Sequence, residues 1–110
     1  ALGEPSFESR QSQVTLQHII DVVTAFYNVK LSDLQSKKRH KSITGPRQVC
    51  MYLARKRTRY SLEEIGAYFG GRDHTTVMHS IKTVEQRMSE DPVHQRQIEQ
   101  LDEQIHAREI

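Results

Sequence analysis

The sequence predicts an all-α fold, one small domain of about six helices that contains a helix-turn-helix. Three observations lead there. Apolar residues recur at three- and four-residue steps in successive segments, the spacing of one helix face. Strand-type alternation is too short anywhere to compete, and no fixed-period repeat appears. Two helical segments are separated by little more than Gly70 and Gly71, the tight break that joins the helices of a helix-turn-helix. With 110 residues, 35% hydrophobic, 27% charged and no Trp, there is material for one thin core rather than two.

Residues 1 to about 13, ALGEPSFESRQSQ, mix Gly, Pro, Ser and charge without an apolar period. They read as a linker to the rest of a longer protein, which leaves 14–110 as the domain. From Val14 the pattern changes: Leu16, Ile19, Ile20, Val23 and Tyr27 make one face of a first helix that ends near Asn28. A second, short helix starts at Ser32, with Leu31 and Leu34 pointing inward. The stretch SKKRHKS, Ser36 to Ser42, has no apolar anchor and is expected to be an exposed loop. Pro46 suits the first position of a third helix, where its missing N–H has no partner to lose. Thr44 or Gly45 would cap that helix, and Val49, Cys50, Leu53 and Ala54 would be its inward face as far as about Arg57.

Ser61 followed by Glu64 is a capping-box pattern that opens a short helix with Leu62, Ile65 and Phe69 inward. Asp73 suits the N-cap of the next, whose buried stripe is Val77, Ile81, Val84 and Met88. Asp91 and Pro92 then restart the chain as cap and first helical residue. Val93, Ile98, Leu101 and Ile105 give this last helix a weaker apolar face to the C-terminus, and its acidic content makes it a poor surface for a polyanion.

The formal net charge of +2 is compatible with almost any partner, so the distribution matters more. No Asp or Glu occurs between Ser36 and Tyr60, whereas Lys37, Lys38, Arg39, Lys41, Arg47, Arg55, Lys56, Arg57 and Arg59 all fall there, more than half of the 16 Lys and Arg. An isolated basic run is usually a solvated surface. This one adjoins a helix-turn-helix, where a basic loop and a helix carrying Arg47 and Arg55 can neutralise phosphates and reach a minor groove. Arg39, mid-loop, is best placed for insertion.

Arg72, Asp73, His74, Thr75 and Thr76 stand at the start of the second helix of the motif, where such proteins present side chains to base edges. Asp73 can accept from a cytosine amino group, His74 can hydrogen-bond a base or phosphate, and Thr75 can touch a thymine methyl. Thr76 and the first backbone amides suit a phosphate. Taken alone, Asp73 is as readily a helix cap and His74 an ordinary exposed histidine; their place in the motif favours the DNA roles.

At Gly70 to Ser80 the chain reads GGRDHTTVMHS, which resembles the signature of the bacterial DnaA initiators of chromosomal replication, in their C-terminal DNA-binding domain. The likeness extends through SKKRHKSITGPRQ (Ser36 to Gln48), LARK (Leu53 to Lys56) and SLEEIGAYFGGRDHTT (Ser61 to Thr76), covering most of Val14 to Met88. The resemblance implies a Trp-repressor-like helical domain that binds double-stranded DNA at the nonamer DnaA boxes of replication origins and some promoters. It gives Arg39 the minor groove and Asp73, His74 and Thr75 the major groove. Phosphates would fall to Lys37, Lys38, Arg47, Gln48, Arg55, Arg72, Thr76, His79 and Lys82. Two positions depart: many members carry Pro where Glu63 stands, and often a basic residue where Gly45 stands.

The family's ATPase lies in an upstream domain, and this chain has no Walker A loop, so no cofactor is expected here and ATP belongs with that domain as a partner. A transcriptional repressor of the same architecture would show the same periodicities. A module binding acidic phospholipid headgroups or a protein would use the same charge without reading bases. An enzyme is the weakest alternative: His74 and His79 lack the HExxH spacing of a zinc site, and Cys50 lies on an apolar helix face without a base beside it. As the sole cysteine, Cys50 forms no intrachain disulfide and reads as a small buried hydrophobe. No signal peptide and no run of membrane-spanning length is present, so a cytoplasmic, nucleoid-associated location is expected. No helix shows a long heptad seam, which fits a monomer.

Overall fold

A computed structural model describes residues 14–107. It forms six helices: α1 Leu16–Tyr27, α2 Leu31–Gln35, α3 Lys41–Arg57, α4 Leu62–Tyr68, α5 His74–Glu90 and α6 Pro92–Ala107. Among the described residues there is no strand, and no helix is long and apolar enough to cross a membrane. The linker expected over residues 1 to about 13 lies outside the described residues.

Helix α3 is the centre of the packing, touching α1, α2, α4 and α5, while α6 closes over α1 and α5. The core follows from the spacings: Ile19, Ile20 and Val23 of α1 meet Val49, Cys50 and Leu53 of α3, Ile65 and Phe69 around α4, Val77 and Val84 of α5, and Ile98, Leu101 and Ile105 of α6. Burial of an aliphatic or aromatic side chain of this size stabilises by about 1.5–3 kcal/mol. Cys50 is fully buried, and the apolar surroundings push its thiol far above the usual range, which keeps it unreactive.

The helix ends are set by local chemistry. Thr15 accepts from the His18 amide at 3.1 Å to start α1, and Asn28, at φ 57°, ends it in the left-handed region that Asn tolerates. The Ser61 hydroxyl accepts from the Glu64 amide at 3.0 Å and the Glu64 carboxylate from the Ser61 amide at 2.8 Å, the reciprocal box expected. Asp91 closes α5, its amide donating to the Arg87 carbonyl at 2.9 Å. It opens α6 as well, accepting from the Val93 amide at 3.0 Å.

Two expectations are corrected. Helix α3 begins at Lys41, not Pro46, so the exposed loop shortens to residues 36–40. The one intrahelical bond that Pro46 forgoes is to the carbonyl of Ser42, the exposed second residue of the helix, where water can replace it. In α6, Val93 is 66% exposed and His94 takes the inward position. The buried stripe is His94, Ile98, Leu101 and Ile105, steps of four, three and four into which Val93 does not fit.

Candidate nucleic-acid interface

The helix-turn-helix is α4, the glycine turn and α5. Its tightness depends on Gly66 as much as on the glycine pair. The Arg72 amide donates to the Gly66 carbonyl at 2.9 Å, and a Cβ on Gly66 would run into the Arg72 carbonyl. At Gly70, φ is 90° and a Cβ would lie 2.5 Å from the Gln35 carbonyl oxygen. The missing side chain therefore lets the end of α2 pack on the turn, where the Gln35 amide nitrogen donates to the Tyr68 carbonyl at 2.9 Å.

Asp73 caps α5, accepting from the Thr76 amide at 2.8 Å. That bond, with a second from the Thr76 side chain, holds its carboxyl below the usual carboxylate range. Asp73, His74, Thr75 and Thr76 are all exposed at this helix start. Further along α5, His79 and Lys82 are exposed too; with Thr75 they follow at four and three residues, one stripe turned away from Val77 and Val84.

The loop at 36–40 faces this helix start. Lys37, Lys38, Arg39, Thr44, Arg47, Arg72 and Thr76 line one open cleft of about 430 Å³. Lys37 and Arg39 are exposed and make no bond to other described residues. Lys38 is partly committed, its ammonium 3.1 Å from Asp33, which lowers the Asp33 carboxyl in turn.

Arg47 and Arg72, read from sequence as phosphate ligands, line the cleft and anchor the loop. Arg47 is 6% exposed. Its Nε donates to the Leu34 carbonyl at 2.8 Å, and its Nη2 lies 3.0, 3.1 and 3.2 Å from the carbonyls of Ser36, Lys38 and Asp33. Arg72 donates through Nη2 to the Ser36 carbonyl at 2.7 Å and through Nη1 to the Phe69 carbonyl. Two guanidinium groups thus share the Ser36 carbonyl and fix the loop from both sides. Burial, then the neighbouring Arg72 charge, pushes the Arg47 pKa down, yet an arginine stays protonated in such a site. The loop backbone is therefore anchored by two cations, and Arg47 Nη1 has no carbonyl partner among the described residues.

Gln48 lies in an adjoining hollow that shares Thr44 with the cleft. Arg55 lines neither, and its Nη1 donates to the Tyr60 carbonyl at 3.3 Å. Sequence reasoning missed Thr44 as part of the cleft; its signal is the position one turn before Gln48 on the same helix.

The family model for the bacterial dnaA protein helix-turn-helix matches residues 16–84. The chain belongs to this family. Among solved structures it is similar to a DNA replication initiation factor, at 32% identity and a TM-score of 0.77, over 97% of this chain and 32% of that one. It is similar also to a replication initiator DnaA bound to AMPPCP and single-stranded DNA, at 31% identity and a TM-score of 0.65, over 94% of this chain and 32% of that one. This chain thus spans about a third of the length of each.

The bacterial dnaA helix-turn-helix match takes in the loop, the turn and α5 as far as Val84, but not α6. Helix α6 removes part of the basic stretch from the cleft side. Asp102 receives Arg57 Nε at 2.6 Å and Nη2 at 2.9 Å, with Lys56 at 3.4 Å. The long acid-free stretch is therefore divided, one portion rimming the cleft and another clasping α6.

Proposed function

We propose that this chain is the DNA-binding module of a bacterial replication initiator and binds double-stranded DnaA boxes at the replication origin as a monomer. The observation that carries this reading is the single cleft bordered by two distant segments, the cationic loop with Arg39 and the capped, polar start of α5. The start of α5 enters the major groove, where Asp73, His74 and Thr75 meet base edges. Arg39 enters the adjacent minor groove, and Lys37, Lys38, Gln48, Thr76, His79 and Lys82 hold phosphates. ATP binding and origin melting belong to the upstream ATPase domain of such a protein, which works in the cytoplasm on the nucleoid.

The test is a fluorescence-anisotropy titration of the domain against a duplex carrying a DnaA box and against a scrambled duplex, at one near-physiological salt concentration. A preference of about a thousandfold or more is expected of specific duplex recognition. Equal, weak binding to both would overturn the reading and favour a basic surface for acidic phospholipids.

A further inference from the structure

A second hollow, with both polar and apolar walls, lies where the end of α1, the first turn of α3, the end of α5 and the start of α6 meet. Tyr27, Lys41, Ser42, Arg87, His94 and Gln97 wall about 250 Å³ of it, and no carboxylate lines it. Neither Lys41 nor Arg87 has an acidic partner among the described residues. Two unpaired cations facing one concavity without a counter-charge make a site for an anion.

Independent observations point the same way. His94 is 7% exposed, and its buried Nε2 has no hydrogen-bond partner, which leaves a polar group awaiting one. His40, the N-cap of α3, makes no side-chain cap bond; the Ile43 amide donates to the His40 carbonyl at 2.9 Å, which leaves the Lys41 and Ser42 amides without an acceptor among the described residues at the positive end of a 17-residue helix dipole. Gly45 has no atom within 4 Å of where its Cβ would stand. The hollow there runs into its neighbour, lined by Lys41, Thr44, Gly45, Gln48 and Arg87, and through Thr44 to the loop cleft.

We propose that this junction binds a phosphate-class anion, clamped by Lys41 and Arg87 at the uncapped start of α3, with the Tyr27 hydroxyl and the His94 imidazole as further donors. Its size and donor set suit a phosphate group of a small metabolite or a backbone phosphate of a duplex whose flank follows the trough along α3. Tyr27 keeps its proton, since burial raises its pKa and Arg87 only partly opposes that. Burial lowers the His94 pKa, the Arg87 charge lowers it further, and Asp91 opposes both. A dianion beside His94, with Tyr27 and Lys41 opposite, reverses that balance and raises it.

The test is an NMR titration of the domain with inorganic phosphate against chloride at matched ionic strength. Saturable shifts at Tyr27, Lys41, Ser42 and His94 are expected, with a rise in the His94 imidazole pKa. Arg87→Gln, at an exposed position, is expected to weaken phosphate binding about tenfold or more, the worth of one charge-assisted bond. Shifts that do not saturate, that centre on Lys37 to Arg39 instead, or that survive Arg87→Gln unchanged would overturn the proposal. Given saturable binding, Arg87→Gln applied to box duplexes of increasing flank length separates the sources. A loss that grows with flank length assigns the site to backbone phosphate, and no loss assigns it to a free phosphate compound. The phosphate titration contains no DNA, so its outcome is independent of whether the chain prefers DnaA boxes.

Discussion

The start of α5 is held by a bond spanning three residues, Asp73 to Thr76, whereas the loop across the cleft is held by bonds spanning nine to 36, from Arg47 and Arg72. One side of the cleft is assembled by its own sequence and the other by the rest of the fold. Each side should therefore fail in its own way, the helix start through its own residues and the loop through the arginines that anchor it from a distance in sequence.

The largest effect is expected at Arg47. Arg47→Ala leaves the carbonyls of Asp33, Leu34 and Lys38 without their charged donor and that of Ser36 with Arg72 alone, and a loss of roughly 2–4 kcal/mol is expected in urea melts. Affinity for box and scrambled duplex should fall together, because the whole loop is released. Arg47→Lys should recover little, since one ammonium cannot reproduce the guanidinium fork. A stable Arg47→Ala protein with normal loop chemical shifts would break the comparison. Next comes Gly66→Ala, which sets a methyl against the Arg72 carbonyl and should cost roughly 1–3 kcal/mol. It should also impair box preference, because the displaced Arg72 both leads into α5 and holds Ser36.

Arg39→Ala sharpens the same contrast from the other direction. Arg39 makes no bond to other described residues, so the melting temperature should not change. Box affinity should fall by about ten- to a hundredfold, the worth of one specific groove contact, with a shallower salt dependence. His74→Ala should likewise spare stability while relaxing base preference at one position. If Arg39→Ala destabilised the domain as much as Arg47→Ala, the division between loop anchors and groove contacts would be wrong.

What sequence showed and what it hid follow the same line. Ser61 with Glu64, Asp73 before Thr76, and the stripe of Val77 and Val84 were legible because cap and periodicity are local. The anchoring role of Arg47 was not, because its acceptors are backbone carbonyls, which every residue carries and which leave no mark in the sequence. Pro46 misled for a related reason. A proline signals the first turn, yet a helix tolerates one shortly after its start where the forgone carbonyl meets water. At α6 the apolar Val93 drew the inward assignment, while the position belonged to His94, whose polarity concealed it in a 4-3-4 stripe otherwise made of Ile98, Leu101 and Ile105.

The smallest effect is expected where basic residues face away from the cleft. Asp102, between Arg57 and Lys56, is pushed up by burial, but the Arg57 hydrogen bond and the two positive charges outweigh this and hold its carboxyl below the usual range. A depressed folded-state pKa gives stability that is fully present above the unfolded value, about 3.9, and is lost as pH falls through the lower folded value. Asp102→Asn should therefore cost about 1 kcal/mol at neutral pH and flatten the corresponding part of the acid unfolding curve. Lys56 and Arg57 keep their charge in that variant without the Asp102 carboxylate, so the ratio of box to scrambled affinity is the decisive reading. An unchanged ratio means that basic residues matter here by where the fold points them; a shifted ratio would place the Lys56 and Arg57 turn within reach of the duplex and extend the interface beyond the loop and α5.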